Sequence, residues 1–178
     1  LSMASTIYGG RPGTPMPGQK LQTLLELIND LRNNGHRALV FSQFVDFLQI
    51  VRRALDQQQV TYQYLDGSTP IKQRVEAVSA FQRGAGDLFL ISLKAGGSGL
   101  NLTAANYVIL LDPWWNPAVE TQAADRAHRI GQHNPVTVYR LVTAATVDER
   151  VVELHSRKLA LAEAILDDTA DTRLNAND

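Results

Sequence analysis

Short apolar runs alternate with helix-patterned segments along most of the chain, and this alternation constrains the fold most strongly. The runs are five to seven residues long and rich in branched and aromatic side chains, which is typical of strands buried on both faces. They are RALVF (37–41), TYQYL (61–65), LFLIS (88–92), YVILL (107–111) and VTVYRLV (136–142). Because strands that alternate with helices build a parallel sheet covered on both faces, we predict a three-layer α/β domain.

The segments between these runs carry the signals of helices. Leucine and isoleucine recur at helical spacing from Leu21 to Leu31, and Gly35 provides a stop. Further helices are predicted over 44–57, after Thr69-Pro70, after Asn116-Pro117, and from a capping box at Thr146 to about Leu166.

The two ends of the chain lack such patterns. Residues 1–17 are rich in Gly, Pro, Ser and Thr, so we predict an unstructured lead there. Residues 169–178 are polar and are expected to fray. One folded domain is therefore predicted over 18–168.

Composition narrows the possible partners. The net charge of −1 means that positive charge for a nucleic acid would have to be local or supplied elsewhere. No run of about 18 apolar residues is present, so no membrane partner is expected. Cysteine is absent, and His128 and His133 have no carboxylates arranged around them, so we predict no metal site.

Polar and glycine-rich loops follow the predicted strands at the edge where ligands bind in parallel sheets. The loop 92–105 contains Ser92, Lys94, Gly99 and Asn101, and its glycines let the backbone approach a ligand closely. A flexible turn without a ligand is the alternative. The other such loops are FSQF (41–44), with Ser42 and Gln43, and LDGST (65–69), with Gly67 and Ser68. Plain helix capping would also explain Ser68 and Thr69.

Familiar nucleotide-binding motifs are absent. Gly97-x-Gly99-x-x-Leu102 lacks the third glycine of a dinucleotide fingerprint, and we predict no strand before the glycines at 13 and 18. Asp112 ends a strand like a magnesium-binding acid, but a turn-forming role before Pro113 is the better interpretation without a phosphate loop.

The segment from Trp114 onwards leads into a helix with two arginines on one face. Gln122, Arg126 and Arg129 are spaced three and four apart, and paired guanidinium groups suit a phosphate. One of the tandem tryptophans is expected in the core, and the other at a nucleic acid.

These segments, in this order, resemble the second (C-terminal) RecA-like domain of the Swi/Snf-type helicase-like ATPases, a branch of helicase superfamily two. The resemblance runs from about Gly18 to about Leu166. Its most specific parts are ISLKAGGSGLNLTAANYVILLDPWWNP and QAADRAHRIGQ. Members of this family are double-stranded-DNA translocases that remodel chromatin or displace bound proteins, generally without separating strands.

The resemblance implies roles for the residues named above. ATP and Mg²⁺ would be held mainly by an N-terminal RecA-like lobe, and Arg126 and Arg129 would be the arginine fingers that complete the site. Gln122, Gly99 and Asn101 match ATP-side positions. The positions that match contacts to the DNA backbone are Ser42, Gln43, Gly67, Ser68, Ser92, Lys94 and Trp115.

The resemblance also sets expectations for the whole protein. The missing lobe implies a piece of a longer DNA-dependent ATPase, inactive when isolated, that can displace a protein target from DNA. Its location would be cytoplasmic and nucleoid-associated in a prokaryote or nuclear in a eukaryote. Alternatives left open are an autonomous nucleic-acid-binding module, an unrelated Rossmann-like nucleotide-binding enzyme, and a scaffold in which the arginines affect only solubility.

Overall fold

A computed structural model of the chain describes residues 17–96, 100–112, 125, 135–143 and 153–154, together with the backbone course of residues 4–8. The strands are β1 Ala4–Tyr8, β2 Ala38–Ser42, β3 Tyr62–Leu65, β4 Leu88–Ser92, β5 Tyr107–Leu110 and β6 Thr137–Val142. The helices are α1 Pro17–Asn33, α2 Val45–Gln57, α3 Ile71–Gln82 and the single turn α4 Leu93–Gly96. A last helix is predicted from Thr146 to about Leu166. The described residues within it are Glu153 and Leu154, and both are helical.

The strands form one sheet in the order β1-β6-β5-β2-β4-β3, and every neighbouring pair is parallel. β2 and β4 lie inside the sheet, and all ten of their residues are buried. This explains why their sequences are apolar throughout, whereas the edge strand β3 has only Leu65 buried. The predicted α/β fold is confirmed.

The sheet separates two hydrophobic cores because successive side chains of a strand point to opposite faces. On one face, Leu39 and Phe41 of β2 pack with Phe81 of α3. On the other face, Ala38 and Val40 pack with residues of α1 and α2, which include Leu24, Ile28, Leu48, Val51 and Leu55. Helices therefore cover both faces, as the alternating pattern predicted.

The first strand differs from the expectation for residues 1–17. Ala4–Tyr8 pairs with β6 at the edge of the sheet, from Ala4↔Val138 to Tyr8↔Val142, so these five residues are not an unstructured lead. Ser-Thr-Ile-Tyr contains good strand formers, but the glycines and prolines around it conceal the pattern. Within the described ranges, no helix is long and apolar enough to cross a membrane.

Candidate nucleic-acid interface

The carboxyl ends of the strands bring several predicted site residues to one edge of the sheet. Ser42 at the end of β2 and Ser92 at the end of β4 are Cα partners in the ladder, and Leu65 of β3 pairs with Ile91. The turns FSQF (41–44) and LDGST (65–69) and the turn α4 therefore follow three adjacent strands. Loops at this edge of a parallel sheet are the usual place for a ligand.

The FSQF turn is held by a buried carboxylate. Asp112 is 6% exposed, and its Oδ2 accepts hydrogen bonds from the Ser42 hydroxyl and from the Gln43 N–H, the latter at 3.0 Å. The Phe44 N–H donates to Ser42 Oγ at 3.0 Å. Ser42 is thus fully buried and bonded, whereas the side chain of Gln43 is exposed. The network keeps the turn fixed while Gln43 faces solvent.

The LDGST turn is organised by Asp66. Its Oδ1 accepts from the Ser68 N–H at 2.8 Å and from the Ser68 hydroxyl at 2.6 Å, while Oδ2 accepts from the Tyr64 hydroxyl at 2.8 Å. The hydrogen bond from the Ser68 hydroxyl is the largest cause that lowers the pKa of Asp66 to about 2. Burial, together with Asp66, raises the pKa of Tyr64 to about 12. Thr69 also donates to Asp66. The capping interpretation of Ser68 and Thr69 is therefore wrong, since α3 begins without a side-chain cap.

Lys94 lies beside Gly67 across this edge. A Cβ at Gly67 would stand 3.8 Å from the Cβ of Lys94, and both residues are exposed. The Gly67 N–H donates to none of the described residues, so it is available to a ligand. A cationic side chain next to a free amide is a suitable environment for a phosphate oxygen.

A hydrogen bond supports α4, and a buried hydroxyl that is unpaired among the described residues lies just before it. The Arg74 guanidinium donates from Nη1 to the Ala95 carbonyl at 2.9 Å, which joins α3 to α4. Ser92, immediately before α4, is 2% exposed, and its hydroxyl has no hydrogen-bond partner among the described residues. A buried hydroxyl without a partner is uncommon because desolvation costs about 1–3 kcal/mol.

Asn101 is placed apart from the strand-end residues. Its carbonyl accepts a hydrogen bond from Gln82 Nε2 at 3.1 Å, and Gln82 also binds Thr103 and the Ala104 N–H. Gln82 is the last residue of α3, which runs back towards the start of β4. The loop that contains Asn101 therefore passes to the amino ends of the strands, opposite the strand-end turns. The side chain of Asn101 is exposed.

The remaining predicted site residues, Gly99, Trp115, Gln122, Arg126 and Arg129, lie outside the described residues. In the described ranges, no group of three or more His, Cys, Asp or Glu side chains could hold a metal ion. The sequence missed Asp66, Arg74, Gln82 and the role of Asp112, which position the loops. The partners of Arg74, Gln82 and Asp112 lie 19 to 70 residues away, so no local pattern reveals them. Asp66 bonds residues only two or three positions away, so an aspartate at a strand end followed by Ser and Thr was an available signal for it.

A family model for the helicase conserved C-terminal domain matches residues 19–131, more than half of the chain. The chain belongs to this family, in its Swi/Snf-type branch. This helicase C-terminal domain is 46% identical over 165 residues to Protein Chromatin Remodeling 19 of Arabidopsis thaliana, covering 88% of this chain and 22% of that protein. It is 41% identical to human SWI/SNF-related matrix-associated actin-dependent regulator of chromatin subfamily A member 1, covering 89% of this chain and 16% of the relative.

A solved structure resembles this helicase C-terminal domain as well. The crystal structure of the C-terminal part of the Fun30 ATPase domain matches with a TM-score of 0.73 at 35% identity, covering 76% of this chain and 45% of that one. The domain thus spans less than a quarter of the two full-length relatives.

Proposed function

We propose that this helicase C-terminal domain is the second motor lobe of an ATP-dependent double-stranded-DNA translocase that remodels protein–DNA complexes. The observation that carries the proposal is the convergence of Gln43, Gly67, Ser68 and Lys94 on one exposed edge of the sheet. The names of the relatives, which include a chromatin-remodelling protein and an ATP-dependent helicase, support the same class of activity.

The chemistry of this edge suits the DNA backbone. It offers one lysine, a free glycine N–H and small polar side chains, and these groups bind phosphate and sugar rather than base edges. Such contacts give grip without reading sequence, which a translocating protein requires. The Ser68 hydroxyl donates to Asp66, so it must turn away from that carboxylate to reach a phosphate.

The two buried serines differ in their part in this proposal. Ser42 donates to Asp112 and so fixes the end of β2, from which Gln43 projects, whereas Ser92 is enclosed at the end of β4 and its hydroxyl bonds none of the described residues. Trp115, which follows Asp112 by three positions, would add an aromatic contact to the DNA.

The ATP side of the proposal depends on Gln122, Arg126, Arg129, Gly99 and Asn101. Of these, Asn101 is described, and its exposed side-chain amide can donate to and accept from a nucleotide hydroxyl or phosphate. ATP with Mg²⁺ supplies the transferable phosphoryl group, and an N-terminal lobe would hold both. Arg126 and Arg129 would reach across to stabilise negative charge on the phosphoryl group, a role worth about 10³–10⁵ in rate.

Translocation follows if ATP closes the two lobes on the DNA and hydrolysis reopens them. Each lobe then grips the backbone in turn. Because the domain would supply only part of the ATP site, the isolated 178 residues are expected to show no hydrolysis, and turnover by the isolated chain would contradict the proposal.

DNA binding by the full-length protein at several salt concentrations tests the interface. The slope of log K against log salt becomes shallower by about 0.9 for each phosphate contact that is lost, so Lys94→Gln is expected to make the slope shallower by about 0.9. Arg83→Gln is the control, because Arg83 is an exposed cation that follows the far end of α3. Equal slopes for the wild-type protein and Lys94→Gln would contradict the proposed interface.

A further inference from the structure

Asp112 joins two parts of the domain that are far apart in sequence. It follows β5, and its Oδ2 accepts from both Ser42 and Gln43, 70 and 69 residues away. Its Oδ1 lies 3.9 Å from Lys20 Nζ of α1. The Leu111 N–H donates to the Phe41 carbonyl at 2.9 Å, so the strand ends are already paired where Asp112 begins.

We propose that Asp112 is a positioning residue that holds the FSQF turn so that the Gln43 side chain faces the DNA backbone. The inference rests on the proposed function. Asp112 fixes the Gln43 N–H directly and the Phe44 N–H through Ser42 Oγ. The main-chain amides of Gln43 and Phe44 are therefore both fixed, so the exposed side chain of Gln43 projects from a rigid main chain.

The turn needs such acceptors because the Gln43 and Phe44 amides come before Val45, the first residue of α2. Amides that precede a helix have no acceptor within it. Asp112 and Ser42 together supply acceptors for two of these amides. Because Asp112 leads directly into residues 113–124, the same contact links the FSQF turn to the segment that precedes Arg126.

The substitution Asp112→Asn separates the hydrogen bonds that Asp112 accepts from its negative charge. Both hydrogen bonds to Asp112 reach Oδ2, and the single carbonyl oxygen of an asparagine can accept both at that place. Asp112→Asn is therefore expected to keep the DNA affinity of the wild-type full-length protein within about twofold. Asp112→Ala removes both acceptors, and we expect a Kd about 3–10-fold higher, the range that one or two hydrogen bonds produce.

A double-mutant cycle identifies the residue through which Asp112 acts. If Asp112 positions Gln43, then Asp112→Ala combined with Gln43→Ala raises the Kd no further than the more harmful single change. Independent effects would multiply. Lys20→Ala is expected to leave DNA affinity near wild type, and Asp30→Ala, which changes an exposed aspartate of α1, is the control for surface charge.

Ser42→Ala provides a milder version in case Asp112→Ala fails to fold. It removes the acceptor for the Phe44 N–H but keeps the bond from the Gln43 N–H to Asp112. We expect faster hydrogen exchange at the Phe44 amide and a loss of DNA affinity smaller than that of Asp112→Ala. In a protein that already carries Gln43→Ala, Ser42→Ala should cause no further loss.

Two results distinguish failure of this inference from failure of the proposed function. If DNA affinity depends on Lys94 and Gln43 but folded Asp112→Ala or Ser42→Ala binds DNA like the wild-type protein, the inference alone is overturned. If the wild-type protein binds no double-stranded DNA, or Lys94→Gln leaves the salt dependence unchanged, the proposed interface fails, and the inference fails with it.

Discussion

The Arg74 guanidinium donates a hydrogen bond from Nη1 to the main-chain carbonyl of Ala95 at 2.9 Å. The contact joins the first half of α3 to the single turn α4, on which Lys94 stands. A helix of one turn has little stability of its own because its nucleation is unfavourable. The placement of Lys94 therefore depends on a residue that precedes it by 20 positions.

Arg74→Ala is expected to loosen α4 and to weaken DNA binding by the full-length protein by about 3–10-fold, the effect of losing a hydrogen bond that contributes about 0.5–1.5 kcal/mol. Hydrogen exchange at residues 93–96 should accelerate in the same variant. Arg74→Lys should recover part of the affinity, since an ammonium group can also donate to the carbonyl. Arg53→Ala is the control, because Arg53 is exposed on α2. Unchanged exchange at 93–96 would contradict this role of Arg74.

Asp66 should make stability depend on pH. The Ser68 hydroxyl, with other donors, lowers the pKa of Asp66 from 3.8 to about 2. A carboxyl whose pKa falls on folding stabilises the folded state above its unfolded pKa, and this stabilisation is lost as the pH falls to the folded value. Urea unfolding of the wild-type protein and Asp66→Asn should therefore differ most above about pH 5, and the difference should shrink towards pH 2. A difference that stays constant from pH 6 to about pH 2 would argue against the assigned hydrogen bonds.

Gly86 should tolerate a side chain less well than Gly84, although both have positive φ angles, of 93° and 99°. A Cβ at Gly86 would stand 3.3 Å from the Tyr62 backbone, whereas nothing lies within 4 Å of one at Gly84. Gly84→Ala is expected to lower the free energy of unfolding by about 1–2 kcal/mol through backbone strain alone. Gly86→Ala should cost more, because β3 must also shift. Equal losses in urea unfolding would show that β3 does not approach Gly86 so closely.

Gln82 should affect the use of ATP rather than DNA. Its amide binds the Asn101 carbonyl at 3.1 Å and accepts from the Ala104 N–H at 2.8 Å, which fixes the loop beside the proposed nucleotide residue. In the full-length protein, Gln82→Ala is expected to raise the KM for ATP by about 3–10-fold, with little change in the Kd for DNA. Gln57→Ala, at an exposed position at the end of α2, is the control. A higher Kd for DNA with an unchanged KM for ATP would show that the loop with Asn101 serves DNA binding and not ATP binding.

The inner strands β2, β4 and β5 could be predicted from the sequence because they are apolar over nearly their whole length. The runs 88–92 and 107–111 correspond to β4 and β5 within one residue, since burial on both faces leaves no polar position to confuse the pattern. The strand β1 escaped prediction because its pairing with β6 joins residues more than 130 positions apart. Similarly, α4 depends on Arg74, and no local pattern identifies it.

The sequence predicts the turns FSQF and LDGST at the carboxyl ends of strands, and the structure has them there, but it does not predict the contacts within them. The sequence places Ser42 at a strand end, yet only the folded chain shows that its hydroxyl is buried against Asp112 rather than facing solvent. For the same reason the sequence alone indicates a turn former at Asp112. Partners 70 residues apart are set by strand order, and periodicity does not reveal strand order.

The central claim is that this domain supplies arginine fingers to an ATP site completed by another lobe. The most direct test is ATP hydrolysis by the full-length protein, with and without double-stranded DNA, for the wild-type protein and Arg126→Ala/Arg129→Ala. We predict that DNA stimulates the wild-type protein and that the folded double variant loses turnover by at least about 10³-fold. Hydrolysis that survives in the double variant would contradict the account, even though the family assignment would stand.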